Sequence, residues 1–406
     1  MTVADGTDRP GALDGIRVLE FSALIAGPSC ARFMADHGAD VIKVERFPAG
    51  DISRHSFAAK ADAGRGPMFL QHNAGKRGLC IDLKHPDGLA LVQRLVAEVD
   101  VVIEAFTPGV MQRLGLGYDD MVKINPKIIV CSVSGFGQTG PHANRPGYAH
   151  AAHAMSGWLA TQFMHRDPPE APRGPGIAIA DTTTGITAFG AVCAALFKRE
   201  RTGLGDHIDI ALLDSLFCSN DVTFQAALRP ESTVDVWYHP VHATRDGYVT
   251  ANVGPDFRAW SNVCKAMQRP DLLEDPRFDT QAHVMEHVHE AGAIVSEWLS
   301  GLSSEEAETV LTRHHIPCAT VLDVVDAVRQ PHVSARGLTV EVEDPVYGRV
   351  DTMNSAFRYA ESNADVRGPA PRLGEHNEQV LCEWLGLDAG SISALRDAGV
   401  LKTGER

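Results

Sequence analysis

The stretch IRVLEFSALIAGPSCARFMADHGADVIKVE (residues 16–45) decides the reading of the fold. It opens on a short apolar, β-type run, Ile16–Phe21, and closes on a second at Asp40–Val44. Between them Pro28 starts a helical pattern over 28–37 and Gly38 stops it, which is the expected asymmetry of helix ends. Strand, helix and strand in so short a span predict a βαβ unit with parallel strands. Working outward, further runs fall at Leu79–Leu83, Val101–Glu104 and Ile128–Val133, with helical patterns at 87–98, 109–114 and 118–124. Continuous apolar runs separated by helices predict a doubly wound, Rossmann-like α/β domain.

Beyond this sheet the sequence is helical and rich in small residues from Gly147 to Phe163, and a Pro-rich loop follows at 164–176. The run GIAIA (176–180) then delivers Asp181, TTTG (182–185) and an alanine-rich helix ending in KRERTG (198–203). His207–Ile210 reads as another strand, with a helix after it. The character changes from about 223 to 334, where a hairpin-like alternation at Gly247–Asn252 precedes amphipathic helices at 281–300 and 304–313. Segment 335–372 reads as strands and extended chain, and 376–400 as helices. The expected organisation is a large α/β domain from 1–222 and 335–406, and a smaller α+β domain from 223–334.

A chain of 406 residues exceeds what one core usually supports. The 37 Lys and Arg against 52 Asp and Glu give a net charge of −15, which argues against nucleic acid or an anionic membrane as the main partner. The eight cysteines are scattered singly with no C-x-x-C spacing, and most sit in apolar runs and read as small core residues. The first residues lack the apolar region of a signal peptide, and the apolar run 185–197 is too short to span a bilayer, so the expected location is the cytoplasm.

Three motifs bear on function. GFGQTG (135–140) matches G-x-G-x-x-G after a strand, but Pro141 and Pro146 prevent a helix from opening there, so it reads as a substrate-lining loop. HVMEH (283–287) has H-x-x-E-H spacing on the helix expected at 281–300; without a third ligand it reads as a polar helix face, and no metal is expected. Arg46, Arg54, Lys76 and Arg77 cluster at strand ends in an acidic protein, as a phosphate-bearing ligand at one edge of the sheet would require. Asp181 stands at the mouth of a long buried helix. A carboxylate there serves as an N-cap, and the same position suits a partly desolvated nucleophile.

Taken together, the motifs resemble those of the family III CoA-transferases, the CaiB–BaiF group that includes formyl-CoA transferase and α-methylacyl-CoA racemase. The similarity runs from Leu13 to Val400: LDGIRVLEFSALIAGPSCARFMADHGADVIKVE (13–45), NAGKRG (73–78), DLKHPDG (82–88), FTPGVMQRLGLGYD (106–119), RPGY (145–148), DTTTG (181–185), RTGLGDHIDIALLD (201–214), RPDLLEDPRF (269–278) and PRLGEH (371–376). The resemblance implies an acyl-CoA:carboxylate CoA-transferase working through mixed-anhydride and aspartyl-CoA thioester intermediates on Asp181. It implies no permanently bound cofactor, acyl-CoA and a small carboxylic acid as substrates, and an interlinked ring-like homodimer. The CoA site carries over to Leu24, Ile25, Ala26, Arg46, His72, Asn73, Lys76, Arg77, Phe106, Arg113, Leu114 and Tyr148, with Gly135 and Gly137 in the loop that would face the thioester.

The departures shape the expectation. Tyr148 and Ala149 stand where the racemase branch has a histidine–aspartate pair, which weighs against α-proton abstraction. His153 stands where glutamine is common, Ala105 where asparagine is common, and 223–262 carries no tetraglycine loop. The alternatives are a racemase or isomerase of the same fold, or a CoA-binding protein without activity. His153, Trp158, His165, Tyr238 and His239 are candidates for shaping the acyl pocket, and their polarity suggests a functionalised acid such as a dicarboxylate.

Overall fold

Six parallel strands form the central sheet in the order β3-β2-β1-β4-β5-β6. The computed structural model describes residues 9–56, 65–164, 170–219, 222–229, 240–251, 257–345 and 347–403. The chain divides into two compact units, Met1–Val234 with Ala335–Arg406, and Asp235–Ser334.

In the first unit the elements run β1 (Arg17–Phe21), α1 (Ala26–Asp36), β2 (Asp40–Arg46), α2 (Pro67–Asn73), β3 (Arg77–Ile81), α3 (Pro86–Ala97), β4 (Val101–Glu104), α4 (Val110–Arg113) and α5 (Tyr118–Ile124). They continue with β5 (Ile129–Ser134), α6 (Ala149–Met155), α7 (Ile179–Thr202), β6 (Asp206–Ala211), α8 (Leu212–Cys218) and α9 (Val222–Ala227). Alternate residues of each strand face opposite sides, so β1 sends Val18 one way and Leu19 and Phe21 the other. Val18, Val41, Ile103 and Val133 pack with α1, α6, α7 and α8. Leu19, Ile42, Val102 and Val130 pack with α3 and with the C-terminal residues Val380, Leu381, Trp384 and Ile392. Both faces are therefore covered, which is why the strands read as nearly continuous apolar runs.

Chain order reverses between β1 and β4. The strands on one side were laid down as β2 and β3, and those on the other as β5 and β6. Connections leave the carboxyl ends of β1 and β4 in opposite directions, opening a crevice between them, and ligands of such sheets bind there.

The second unit pairs β7 (Val241–Ala243), β8 (Tyr248–Ala251) and β9 (Cys318–Thr320) in an antiparallel sheet. Its helices are α10 (Phe257–Ala266), α11 (Gln281–Glu286), α12 (Val288–Ser300), α13 (Ser304–Arg313) and α14 (Val324–Arg329). Its own core is built on Trp260, Phe278, Val295, Leu299 and Leu311. The short α15 (Pro331–Ala335) leads back to the first unit, where β10 (Thr339–Asp344) and β11 (Gly348–Met353) form a hairpin and α16 (Asn377–Leu385) and α17 (Ala389–Asp397) finish the chain. Arg65 forks onto both Asp344 oxygens at 2.7 and 3.0 Å, a bidentate pair that ties the two chain ends of this unit together.

Three local expectations are corrected. The helix expected over 281–300 breaks at His287, which caps α12, so His283 and His287 do not share one continuous helix face. They are taken instead by Asp279 and Glu290, and among the described residues no three His, Cys, Asp or Glu converge as a metal site would need. The helical pattern from Gly147 to Phe163 holds only through Met155. Gly157 then turns the chain at φ 78° into a wider π turn at Ala160–Met164. Finally, α7 starts well before the alanine-rich run and reaches 24 residues, long and apolar enough to cross a membrane by length and composition. Ala180, Ala188, Phe189, Val192 and Leu196 on it belong instead to the core of the first unit.

Candidate active site

A cleft of about 410 Å³ opens at the carboxyl ends of β1, β2, β4 and β5, at the point where strand order reverses. Of the residues singled out from sequence, Leu24, Ala26, Arg46, Phe106, Gly135, Tyr148 and Asp181 line it. Ile25 is the residue before the first turn of α1, between two lining neighbours.

Asp181 lies in the first turn of α7 rather than at its cap, which is Ala178. Its carboxylate accepts the backbone N–H of Ala26, the first residue of α1, and its own amide. Two helix starts thus converge on one carboxylate, each presenting amide N–H groups that lack partners within their own helices. Burial nevertheless outweighs these hydrogen bonds and pushes the Asp181 carboxyl up to about 6. The group is a desolvated carboxylate of raised basicity, with no cation paired to it among the described residues.

Gly185 explains how the two helices come so close. It sits one turn beyond Asp181 on the same face of α7, where a Cβ would lie 2.6 Å from the Ser29 Cβ and 3.0 Å from the Ala26 carbonyl oxygen. The glycine of the D-T-T-T-G segment is therefore a contact point for α1. Gly135 plays a similar part at the end of β5, where a Cβ would come within 2.8 Å of the Gly147 Cα; this close approach brings Arg145–Tyr148 onto the cleft. Gly137 shapes the same loop from outside the cleft. Its φ is 86° and its amide donates to Ser134 Oγ at 2.9 Å.

Beneath the cleft lies a layer of buried charge. Glu20 accepts from Lys43 Nζ at 2.9 Å, Lys76 Nζ at 2.6 Å and Ser22 Oγ at 2.6 Å. Burial works to raise the Glu20 carboxyl, but the two ammonium groups outweigh it and hold the carboxyl below its ordinary value. Lys76 also donates to the Pro28 carbonyl and to Asn73 Oδ1, both at 2.9 Å, and so pins the first turn of α1. Asp51 pairs with Lys43 at 3.0 Å and accepts the Leu24 amide at 3.3 Å, holding Leu24 at a left-handed φ of 69° beside the cleft.

This layer corrects the expectation of a basic cluster at one sheet edge. Only Arg46 reaches the cleft, at the carboxyl end of β2, where its Nε donates to the Gly50 carbonyl at 3.1 Å. Arg77 begins β3 at the amino end of the sheet and is taken by Asp40 and Glu383. Arg54 is bound to Glu45 and lies 3.7 Å over the Phe69 ring. Lys76 and Asn73 are consumed in the buried layer, and His72, in contact with Ser29 Oγ at 3.0 Å, is pushed down to about 4 by burial and by Lys76. Arg113 is exposed at the end of α4, and Leu114 packs in the core beside Phe106. Neither lines the cleft.

Arg145 is the cleft residue that sequence reasoning passed over. Its guanidinium lies 5.6 Å over the Phe136 ring, exposed, and pairs with no carboxylate among the described residues. The available signal was the R-P-G-Y segment itself, quoted there for its likeness and not for its charge. Tyr148, the residue before α6, is exposed at the cleft; Ala149 behind it is buried, and His150 stacks on the tyrosine ring. His153 points inward and its Nε2 accepts the Ala180 amide at 3.1 Å. Trp158 packs against His153, whereas His165, Tyr238 and His239 lie outside the described residues.

A family model described as CoA-transferase family III matches residues 13–377. The chain is 34% identical over 403 residues to the succinyl-CoA:glutarate CoA-transferase of Mus musculus, a match covering 97% of this chain and 91% of that protein. It is also 34% identical over 408 residues to the succinyl-CoA–L-malate CoA-transferase beta subunit of Chloroflexus aurantiacus, covering 98% and 100%. Among solved structures, a CAIB/BAIF family protein from Brucella suis superposes with a TM-score of 0.81 at 29% identity, covering 93% of this chain and all of that one.

Proposed function

The chain belongs to CoA-transferase family III, and from that premise we propose that it moves CoA from a donor acyl-CoA to an acceptor carboxylate through covalent intermediates on Asp181. The observation that carries this reading is a cleft carboxylate, unpaired with any cation among the described residues, fixed by the Ala26 amide and raised to about 6 by burial.

In this mechanism the Asp181 carboxylate attacks the thioester carbonyl, the C–S bond breaks, and CoA leaves as thiolate, giving a mixed anhydride. The thiolate then attacks the aspartyl carbonyl carbon and expels the donor acid as carboxylate, leaving an aspartyl-CoA thioester. The acceptor carboxylate attacks that thioester to form a second anhydride, and the returning thiolate takes the new acyl group and frees Asp181. Each exchange is split into easier steps and the thioester's energy is retained. The Ala26 N–H, already aimed at the carboxylate, remains positioned to stabilise oxyanion character on the aspartyl carbonyl in the two middle steps. Hydroxylamine or borohydride trapping after incubation with an acyl-CoA, followed by peptide mass spectrometry, is expected to place the adduct on Asp181. An adduct elsewhere overturns the assignment.

The acids are assigned to the dicarboxylate class. Both relatives described above are named for succinyl-CoA and a dicarboxylic partner, and Arg145 offers this cleft a second guanidinium besides Arg46. Arg46 ends β2, and Arg145 lies in the loop between β5 and α6, which Gly135 and Gly147 hold against the cleft. In this reading Arg46 serves the CoA phosphates and Arg145 meets a second carboxylate on the acyl group. Arg145→Gln is expected to raise KM for succinyl-CoA far more than for butyryl-CoA; an equal rise for both would assign Arg145 to CoA itself.

Homodimer formation is part of the same proposal. Ile186 and Phe197 on α7 and Phe217 on α8 are 51%, 66% and 52% exposed, a set of apolar side chains on core helices that a second copy would cover. Light scattering behind a sizing column tests it, a monomer at micromolar concentration being the contrary result. A racemase reading predicts deuterium wash-in at the acyl α-carbon without an acceptor acid, and a transferase predicts none.

A further inference from the structure

Helix α7 carries the Asp181 carboxylate but brings no cap of its own. Its cap position is Ala178, which has no side-chain acceptor, and the first amides of any helix lack intrahelical partners. The missing acceptor comes from another helix. His153 of α6 presents Nε2 at 3.1 Å from the amide of Ala180, the residue next to Asp181. An amide can only donate, so Nε2 holds the lone pair and the single ring proton sits on Nδ1. The ring is 2% exposed, lies 5.2 Å from the Trp158 ring, and its Nδ1 has no partner among the described residues.

Resting on the reading of Asp181 as nucleophile, we propose that His153 is a positioning residue: as a neutral Nδ1–H tautomer it caps α7 from outside and fixes the turn that aims Asp181 into the cleft. The Asp181 carboxylate is anchored by Ala26 on one side, and the backbone that carries it by His153 on the other. A shift of about 1 Å in a reacting group costs on the order of 10²-fold in rate, so a side chain that touches no substrate still governs turnover.

The cap also has a titration built into it. Protonated His153 would turn an N–H toward the N–H of Ala180, donor against donor, and the first turn of α7 would lose its partner. Burial and, after it, His150 on the same helix hold His153 below its ordinary value, so the cap persists at neutral pH. The titratable and charged groups on the helices packed against α6 are Asp181, Cys193, Lys198, Arg199, Glu200 and Arg201 on α7 and Asp214 and Cys218 on α8, and of these Asp181 adjoins the Ala180 amide that His153 holds. Two protonations therefore switch the enzyme off in acid, one on the nucleophile and one on its support.

The test compares His153→Gln, whose amide oxygen accepts a hydrogen bond and does not titrate, with the apolar His153→Leu. At pH 8, H153L is expected to lose 10- to 100-fold in kcat with KM for acyl-CoA within about threefold, and H153Q to recover to within a few-fold of the parent. In the parent the acid limb of log kcat steepens toward a slope of two, and in H153Q it settles at one. Hydrogen exchange of the peptide covering 178–184 reads the cap without reference to activity: faster in H153L, protected in H153Q. Equal kcat losses in both variants, an unchanged slope in H153Q, or unaltered exchange in H153L would each overturn the proposal. If H153L fails to fold, the H153Q slope decides. If Asp181 is not the nucleophile, Asp181→Asn keeps its activity while the exchange difference persists, so the two failures are distinguishable.

Discussion

Two carboxylates lie close to the same cleft and are treated in opposite ways. Glu20, at the bottom, is wholly buried and receives two ammonium groups and a hydroxyl, which hold it ionised below its ordinary range. Asp181, at the wall, receives two backbone amides and, among the described residues, no cation, and burial lifts it to about 6. A carboxylate saturated by cations is inert: its lone pairs are occupied and its charge is neutralised at contact distance. One that is desolvated but left electrostatically unmatched keeps a reactive lone pair and bears a standing penalty for its charge. The fold spends its lysines on the lower carboxylate, whose job is to fix the loop and helix that hold the upper one.

The comparison breaks first at the chemistry. Asp181→Asn should lower CoA transfer by at least about 10³-fold, because a covalent route is removed rather than weakened. Glu20→Gln leaves the nucleophile in place, so any loss in kcat there should be far smaller than the loss in folding stability. Transfer measured by liquid chromatography of the acyl-CoA products tells the two apart, and comparable kcat losses for both would erase the distinction.

Next in size is the cost of uncovering the lower carboxylate. Lys76→Met strands part of the Glu20 charge, the Pro28 carbonyl and Asn73 Oδ1 in a dry interior. Removing one partner of a buried pair typically costs about 3–5 kcal/mol, and urea unfolding should show it. A change under 1 kcal/mol would mean that water reaches the layer.

Opposite environments also give opposite pH slopes. The native Asp181 carboxyl keeps its proton up to about pH 6, whereas an unfolded aspartate releases it near its ordinary value of 3.8. Between those values the native state binds more protons, so this group subtracts stability as pH rises and the full penalty stands above 6. It amounts to about 2–3 kcal/mol. Asp181→Asn should therefore be more stable than the parent at pH 7, with the gain fading toward pH 4, which thermal melts across pH can follow. Glu20 behaves in the reverse sense: its ionised form is favoured by folding, and its contribution disappears on acidification. The acid limb of kcat should likewise have a component near pH 6.

Much of the frame could be read in advance because it is local. β-branched runs at 16–21, 40–44 and 101–104 fall on β1, β2 and β4, since strands covered on both faces must be apolar throughout. What sequence could not supply is which end of the sheet a residue occupies. Arg46 ends a strand and Arg77 begins one, so their shared closeness to strand ends puts them at opposite edges of a parallel sheet. Lys76 looked like a ligand because a buried lysine and a phosphate-binding lysine have the same local surroundings; only the contact with Glu20, far away in the chain, separates them. Asp181 was expected at the helix cap and stands within the first turn, because the capping acceptor is donated by His153 across the fold.

The smallest effect tests how the two regions are joined. α1 is the shared part: Lys76 pins its Pro28 carbonyl from below and Asp181 takes its Ala26 amide from the cleft side. The contact that lets α7 settle against it is Gly185, where an added methyl would meet the Ser29 Cβ and the Ala26 carbonyl, neither of them the free end of a flexible side chain. Gly185 is helical, so alanine brings no backbone strain and should even raise helix propensity slightly. Any loss must come from overpacking, which costs about 1–3 kcal/mol. If the helices separate, the Ala26–Asp181 hydrogen bond lengthens, and kcat should fall by a larger factor than stability alone would suggest. If instead Gly185→Ala melts at the parental temperature with parental kcat, α1 and α7 can part without consequence, and the cleft carboxylate does not depend on the layer beneath it.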